Sequence, residues 1–294
     1  GGVRGVAPSG RRGASAEAVI RGMVSSSAWS PFFIAFAIGQ TFVDPVYAWM
    51  AIGVGTVSAL LFTLATLLLL TRGFGMIQLR LSLACMRPVA TRLLIVFASV
   101  LAVALVFGLT ALSAVVVLMP LLVLLQLVRH RDKAGLILAQ TRDAMHSTAD
   151  DLVVITAAML VAFFVTQEDS LAALVGSFHA GQIPGWVALM TTPLAMMMLS
   201  VVGIHPVITS TALLATFSGG GADVHPALLV QAHLIGWGAG TMSSVASLSV
   251  LTCSGLYRVP TRQLVFGDNM LSGFLYSLVG GALLVAANVM LGHV

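Results

Sequence analysis

Long runs without a charged side chain constrain this chain more than any other feature of its sequence. Residues 46–70, 93–128 and 269–294 contain no Asp, Glu, Lys or Arg. Only 8% of the 294 residues are charged, whereas a soluble domain carries about 25%. Helices of about 20 apolar residues can cross a bilayer core of about 30 Å. Because the pattern lacks the alternation of a transmembrane barrel, it predicts an all-α polytopic membrane protein.

The basic character of the chain is explained by membrane topology. The net charge is +4, and the arginines lie in short loops between apolar runs, where cytoplasmic positive charge is expected. We therefore expect a lipid bilayer and no nucleic acid as partner, and a multi-pass location in the plasma membrane, the bacterial inner membrane. Cys85 and Cys253 are far apart, so no disulfide or metal site is predicted. No enzyme motif is found, and neither catalysis nor a bound cofactor is predicted.

Changes in composition and helix-breaking residues divide the first half of the chain into five parts. Gly, Ser and Arg dominate residues 1–23, which predicts a flexible cytoplasmic arm. Residues 24–72 are predicted to be a short broken helix followed by a full span. Arginines among apolar residues at 73–92 predict an amphipathic connector on the membrane surface. Two scaffold spans with a turn near Gly108 are predicted at 93–128, and a charged cytoplasmic linker at 129–151.

The second half, residues 152–294, is predicted to contain further spans and two interruptions. A glycine-rich bend suggests a helical hairpin at 203–237, and the serines that follow suggest a broken helix at 238–256. A final span is expected at 270–291, after a basic loop.

An internal similarity connects the two halves of the chain. SSAWS at residues 26–30 and SSVAS at 243–247 place serines at the same three positions. In both copies mostly apolar residues then lead to a proline, Pro45 or Pro260, and to a long apolar run. Repeated units with interrupted apolar segments are typical of transporters, whose binding sites lie near the midplane where helices are broken.

These segments resemble the ion transporter superfamily, and within it the divalent anion/sodium symporters that carry dicarboxylates and citrate. IHPVITSTALLATF, residues 204–217, is similar to the second-repeat re-entrant hairpin, and GTMSSVASLSV, residues 240–250, to the second-repeat unwound helix. SSSAWSPFF, residues 25–33, resembles the first-repeat counterpart of that helix. The resemblance implies an inverted-repeat secondary transporter with a hairpin and broken helices, and a homodimer. Because the first-repeat hairpin has no counterpart here, either an N-terminally truncated chain or a binding site of different design is expected.

Serine and threonine clusters at the breaks are the predicted site for a small anion. N-termini of half-helices carry free N–H groups and partial positive charge, and neighbouring hydroxyls add donors for a carboxylate. Alternatively, these hydroxyls bond backbone carbonyls or neighbouring helices and serve packing. The candidates are Thr209, Ser210, Thr211, Ser243, Ser244, Ser247, Ser26, Ser27 and Ser30.

Two histidines are the candidate proton carriers. Thr209-Ser210-Thr211 and Met242-Ser243-Ser244 stand where the resembled family has Ser-Asn-Thr, which favours H⁺ over Na⁺ as the coupling ion. His205 and His233 lie within apolar sequence, and histidine titrates near neutrality. His205 could equally lie at a membrane interface, where a polar residue is harmless.

The sequence therefore predicts secondary active transport of a small anionic solute, an organic carboxylate, coupled to H⁺ or Na⁺. The competing prediction is a non-transporting subunit or scaffold whose Ser and Gly clusters serve helix packing. A channel is a third class, but nothing resembles a filter ring of carbonyls or acidic residues. Broken helices that converge on a polar cavity favour transport, whereas continuous helices with self-bonded hydroxyls favour a scaffold.

Overall fold

Helices connected by turns make up the part of the protein that the computed structural model describes. That part comprises residues 9–31, 33–70, 75–109, 111–143, 183–218 and 221–293, with isolated positions between 145 and 160. Within it, β-structure is limited to one isolated bridge between Ile183 and Ala222. The all-α prediction is confirmed for these residues.

The helices follow one another with short connections. In chain order they are α1 (Ser9–Ser27), α2 (Ile34–Phe42), α3 (Ala48–Leu70), α4 (Met76–Phe107), α5 (Ala111–Arg129), α6 (Gly185–Val201), α7 (Pro206–Phe217), α8 (Pro226–Met242), α9 (Leu248–Tyr257), α10 (Thr261–Val265) and α11 (Asp268–Met290). A further helical segment, Arg131–Asp143, follows α5 at an angle of 104°.

Two stretches in the described residues are long and apolar enough to cross a membrane. One is Ala48–Leu70, which is α3, and the other is Thr261–Met290, which combines α10 and α11. The bent pair Ser113–Arg129 and Arg131–Asp143 would add a third if it formed a single span. α6, α7 and α9 are apolar but shorter. Two or three spanning helices are compatible with a membrane protein.

Helix α8 is the centre of the packed body. Every residue from Ala227 to Gly240 is buried, and α1, α2, α3, α6, α7 and α11 pack around the helix. Ile235 belongs to one apolar cluster that includes residues of α1, α9 and α11, whereas Leu234 belongs to another that includes residues of α2 and α7. A helix that is apolar on all sides is a core helix.

Glycines in α8 permit the close approach of its neighbours. A Cβ added at Gly240 would lie 2.6 Å from Oγ of Ser200 in α6, and one at Gly238 would lie 2.9 Å from Oγ of Ser27 in α1. Small residues allow helix backbones to approach in this way, and in α8 they do so without interrupting the helix.

The same order of elements occurs twice in the described chain. Residues 9–70, the first unit, contain α1, a first break after Ser27, the short α2, and the long α3. Residues 226–290, the second unit, contain α8, a second break at 243–247, the short α9, and then α10 and the long α11. Both long helices have 23 residues. The packing is reciprocal, since α1 packs on α9 and α8 packs on α2.

Three predicted boundaries differ from the structure. The flexible arm predicted at 1–23 is helical from Ser9, because Ala16 and Ile20 pack into the core on one face of α1. The connector predicted at 73–92 continues without interruption into the first scaffold span as α4, which passes through Pro88. The boundary predicted between 237 and 238 is absent, because α8 stays helical to Met242.

The turn expected near Gly108 separates α4 from α5, and Gly108 has a φ of 62°, which glycine adopts without steric cost. The linker predicted at 129–151 contains the helical segment Arg131–Asp143. One further span was predicted within residues 152–182. Nearly all of that range lies outside the described residues, as do residues 1–8.

Gly55 is expected to tolerate no side chain. A Cβ at Gly55 would overlap the carbonyl oxygen of Ala28, whereas one at Gly53, on the same helix, would meet nothing within 4 Å. We expect Gly55→Ala to destabilise the protein by about 3 kcal/mol through overpacking. Gly53→Ala should be neutral or stabilise it by up to about 1 kcal/mol. Thermal unfolding in detergent, followed by tryptophan fluorescence, distinguishes the two; equal shifts would contradict the close contact.

Candidate functional site

His233 forms the most buried polar contact among the predicted site residues. Its Nδ1 is 2.9 Å from Oγ of Ser210 in α7, and its Nε2 is 2.8 Å from the carbonyl oxygen of Ala35 in α2. Because a carbonyl can only accept, Nε2 carries the hydrogen, and Nδ1 of the neutral ring accepts from the Ser210 hydroxyl. The fully buried imidazole therefore joins α2, α7 and α8 with both nitrogens satisfied.

This contact unites two residues that the sequence predicted for different roles. Ser210 was predicted as an anion ligand and His233 as a proton carrier. A hydroxyl can donate or accept, so rotation of the Ser210 hydroxyl would let a protonated His233 donate from Nδ1 as well. The pair can thus accommodate either protonation state of the ring without losing the contact between α7 and α8.

Gln231 performs a related task two residues earlier in α8. With its amide nitrogen oriented toward the two carbonyls, it donates to Ala28 at 3.1 Å and to Ala51 at 3.3 Å. Ala28 lies in the first break, where backbone carbonyls lose their helical partners. A buried carbonyl without a partner is costly. Gln231 was not predicted as a site residue, although a glutamine within an apolar run is itself a signal.

The other two residues of the 209–211 cluster have separate environments. Oγ1 of Thr209 is buried and makes no hydrogen bond within the described part of the chain. Oγ1 of Thr211 donates to the carbonyl of Val207, one turn earlier in its own helix, at 2.8 Å. Thr211 therefore has the packing role that was the alternative to ligand binding.

The serines of the first break bond to their own helix or lie near its end. Oγ of Ser26 donates to the Met23 carbonyl at 2.6 Å, and Oγ of Ser27 to the Val24 carbonyl at 2.7 Å. Ser30 is half-buried, and its backbone N–H donates to the Ser26 carbonyl at 3.1 Å. Two of the three hydroxyls are thus engaged within α1.

The serines of the second break are less fully engaged. Oγ of Ser243 is buried without a hydrogen bond in the described residues, and it faces Gly273 of α11. Oγ of Ser244 accepts from the N–H of Ala246 at 3.3 Å. Ser247 is half-buried at the N-cap of α9 and makes no capping bond with its side chain.

The predicted hydroxyl groups do not form one cluster in this arrangement. Ser210 lies at the level of His233, whereas Ser243 follows the end of α8. The ten residues from His233 to Ser243 correspond to about 15 Å along a helix. Ser27 lies between these levels, beside Gly238. The prediction that all three groups meet therefore does not describe this arrangement.

The two His-Pro pairs begin helices. His205 caps α7 by accepting the N–H of Val207 on Nδ1 at 3.2 Å, and His225 caps α8 in the same way from Ala227 at 3.3 Å. In both, proline occupies the first turn, where its missing N–H costs nothing. His205 is half-buried, and the cap is a sufficient structural reason for its position.

A buried arginine that the sequence did not single out joins the two units. Nη1 of Arg21 donates to Oδ1 of Asn269 at 3.0 Å, and Glu17 lies 4.0 Å away, one turn earlier in α1. Nδ2 of Asn269 donates to the Leu264 carbonyl at 2.9 Å. Arg21 is only 8% exposed, although it falls within the predicted flexible arm. The i, i+4 spacing of Glu17 and Arg21 was a helical signal that could have been used.

Comparison with known proteins identifies no relative of this chain. No protein-family model, curated protein or solved structure matches the chain. The described residues also contain no group of three or more His, Cys, Asp or Glu side chains placed to hold a metal ion.

Removal of the Ser210 hydroxyl is expected to destabilise the protein. Ser210→Ala would leave Nδ1 of the buried His233 without a donor, at a cost of about 1–3 kcal/mol. Thr211→Ala removes a hydroxyl that bonds only its own helix, and its effect should stay within about 0.5 kcal/mol. Unfolding temperatures of both variants in detergent test this difference. A Ser210→Ala protein as stable as Thr211→Ala would mean that the Ser210 hydroxyl does not satisfy the ring.

Acidification is expected to weaken the start of α8. Burial, and secondarily the neighbouring His293, lower the pKa of His225. A folded pKa below the unfolded value of about 6.5 means that stability is present above that value and is lost as pH falls. His225→Asn keeps a capping side chain without the titration. Unfolding temperatures between pH 8 and pH 5 should therefore fall less for His225→Asn than for the unchanged protein; parallel curves would contradict the role of His225.

Proposed function

We propose that this protein is a secondary active transporter of a small anionic solute, embedded in the bacterial inner membrane. The supporting observation is the reciprocal packing of the first and second units, in which each short helix is covered by the first helix of the other unit. We interpret the two units as inverted repeats, the design in which transporters bind solute at paired helix breaks.

The breaks in the two units support this interpretation. Non-helical backbone at membrane depth is tolerated only where it is buried in protein or lines a cavity. The buried carbonyl of Ala28 in the first break is bonded by Gln231 of the other unit, and His233 of the same helix bonds the carbonyl of Ala35 in the first turn of α2. A scaffold would gain nothing from interrupted helices that need buried polar partners, whereas a transporter uses the groups that a break sets free.

The helices that follow the breaks supply groups for an anion. α2 and α9 begin after Phe33 and Ser247, neither of which makes a side-chain capping bond, whereas histidines cap α7 and α8. Uncapped N-terminal N–H groups favour a carboxylate or another small anion. Ser247 and Ser30 are half-buried beside these ends and would add hydroxyl donors. An organic carboxylate is therefore the proposed solute.

The Ser210–His233 pair is the proposed site of proton coupling. Its hydrogen bonds connect α7, α8 and α2, so a change in the charge of the ring acts on helices of both units. Sodium coupling and a homodimer remain expectations from the family resemblance alone.

A scaffold is the second candidate function, and one observation favours it. The hydroxyls of Ser26, Ser27 and Thr211 bond to their own helices, as hydroxyls do when they serve packing. In that case the breaks would be structural, and the protein would carry no solute.

Uptake by proteoliposomes distinguishes transport from a scaffold. Labelled succinate and citrate are supplied under an imposed pH gradient or Na⁺ gradient. We expect uptake driven by the pH gradient, and a fall of about tenfold in Ser247→Ala, the factor expected for one lost hydrogen bond to a charged group. His233→Gln should abolish the dependence on the pH gradient.

The control is Thr216→Ala, which removes a hydroxyl that bonds the Ala212 carbonyl within α7 at 2.8 Å. Its uptake should equal that of the unchanged protein. If no tested anion enters above the level of empty liposomes under either gradient, the transport proposal is wrong for these solutes and the scaffold is favoured. If Ser247→Ala left uptake unchanged, the anion would bind at a site that does not include Ser247.

A further inference from the structure

An open groove of about 920 Å³ lies between the two long helices of the repeated units. Its walls carry exposed aliphatic side chains, including Val57 and Leu61 of α3 and Leu275, Val279 and Leu283 of α11. A contiguous exposed apolar surface of this kind marks a binding site more often than a free surface.

At the base of the groove, side chains of α3 and α11 contact each other. Oγ of Ser58 and the hydroxyl of Tyr276 are 3.3 Å apart, and the rings of Phe62 and Tyr276 have centroids 4.2 Å apart. Ile235 of the central helix α8 also lines the groove. A ligand in the groove would therefore be wedged between α3 and α11 rather than lie against the outside of one helix.

The polar side chains that line the groove are already bonded. Ser58 and Tyr276 contact each other, Thr66 donates to the Thr63 carbonyl at 2.9 Å, and Ser272 donates to the Asp268 carbonyl at 2.6 Å. The lining consequently offers neither a charged side chain nor a hydroxyl that needs a partner. Its chemistry fits hydrocarbon and excludes the polar solute discussed above.

The position of the groove identifies the source of that hydrocarbon. Both walls are the stretches that are long and apolar enough to cross a membrane. The lining of α3 extends from Gly53 to Leu70, or about 25 Å along a helix, which approaches the bilayer core thickness of about 30 Å. In a bilayer the groove would face acyl chains along most of its length.

We propose that this groove binds an acyl chain of a bilayer phospholipid, held between the first and second units. The inference needs the protein to lie in a bilayer, but it does not need the protein to transport a solute. The bound chain would bury the aliphatic surfaces of α3 and α11 above the Ser58–Tyr276 contact.

Photo-crosslinking in nanodiscs tests the proposal on the full chain. The probe is phosphatidylcholine with a diazirine in one acyl chain, and labelled peptides are identified by mass spectrometry. We expect labels to concentrate at groove residues of α3 and α11 relative to the exposed leucines of α4 and α5. Because no gradient or solute is present, the result does not depend on whether the protein transports.

Two variants that fill the groove provide the decisive comparison. A Cβ at Gly53 meets nothing within 4 Å, so Gly53→Leu can extend into the groove, and Ala65→Leu does so further along α3. Labelling of the groove should fall about tenfold, the factor expected when about two methylenes of the lipid lose their contacts. Gly22→Leu is the matched control, because it adds the same side chain in open space on α1 and should leave labelling unchanged.

Three outcomes would overturn the proposal. Labels spread evenly over all exposed leucines would show ordinary contact with surrounding lipid. Labelling that is unchanged in both Gly53→Leu and Ala65→Leu, with normal unfolding curves, would place the lipid outside the groove. Groove residues that stay unlabelled while the exposed leucines of α4 and α5 are labelled would show that the groove does not hold a lipid chain.

Discussion

The hydrogen bonds from α8 to the backbone of the first break and of α2 are the constraint on which the rest of the structure depends. The carbonyl of Ala28 is buried in the first break and would be costly without a donor, and the buried carbonyl of Ala35 lies in the first turn of α2. Gln231 and His233 supply donors to these two carbonyls from the second unit. Since both side chains lie on the central helix, its register fixes where α2 and α3 can lie, and the glycines of α8 then admit α1 and α6 closely enough to complete the core.

The same bonds make the two units interdependent. α8 belongs to the second unit but completes the backbone of the first, while Arg21 of the first unit bonds to Asn269 at the start of α11. Each unit therefore bonds buried polar groups of the other, and both apolar clusters contain residues of the two units. A displacement of one unit against the other would therefore break several of these bonds at once.

The all-α class and the positions of the two helix breaks could be predicted from the sequence, whereas the hydrogen-bond partners of the site residues could not. Charge-free runs predicted helices, and the paired serine motifs located both breaks near Ser27 and Ser243. The contact of Ser210 with His233 was not predictable, because residues 23 apart meet only through the angle between α7 and α8. The helix at Ser9–Ser27 was missed because its glycines and arginines resemble a linker, although every fourth residue from Ala16 packs inward. From the sequence, Gly236, Gly238 and Gly240 permitted either unwinding or close helix packing, and in the structure they serve close packing.

The equal lengths of α3 and α11 have a consequence for the choice of membrane. A helix of 23 residues measures about 35 Å, which exceeds the hydrocarbon core of about 30 Å. In a bilayer α3 would tilt to match that thickness, and α11, which continues from α10 in the 30-residue stretch Thr261–Met290, would tilt at least as far. A thinner bilayer would increase the tilt of both helices together, and a thicker one would bring both upright. Membrane thickness would thus act on the angle between the two units without any ligand.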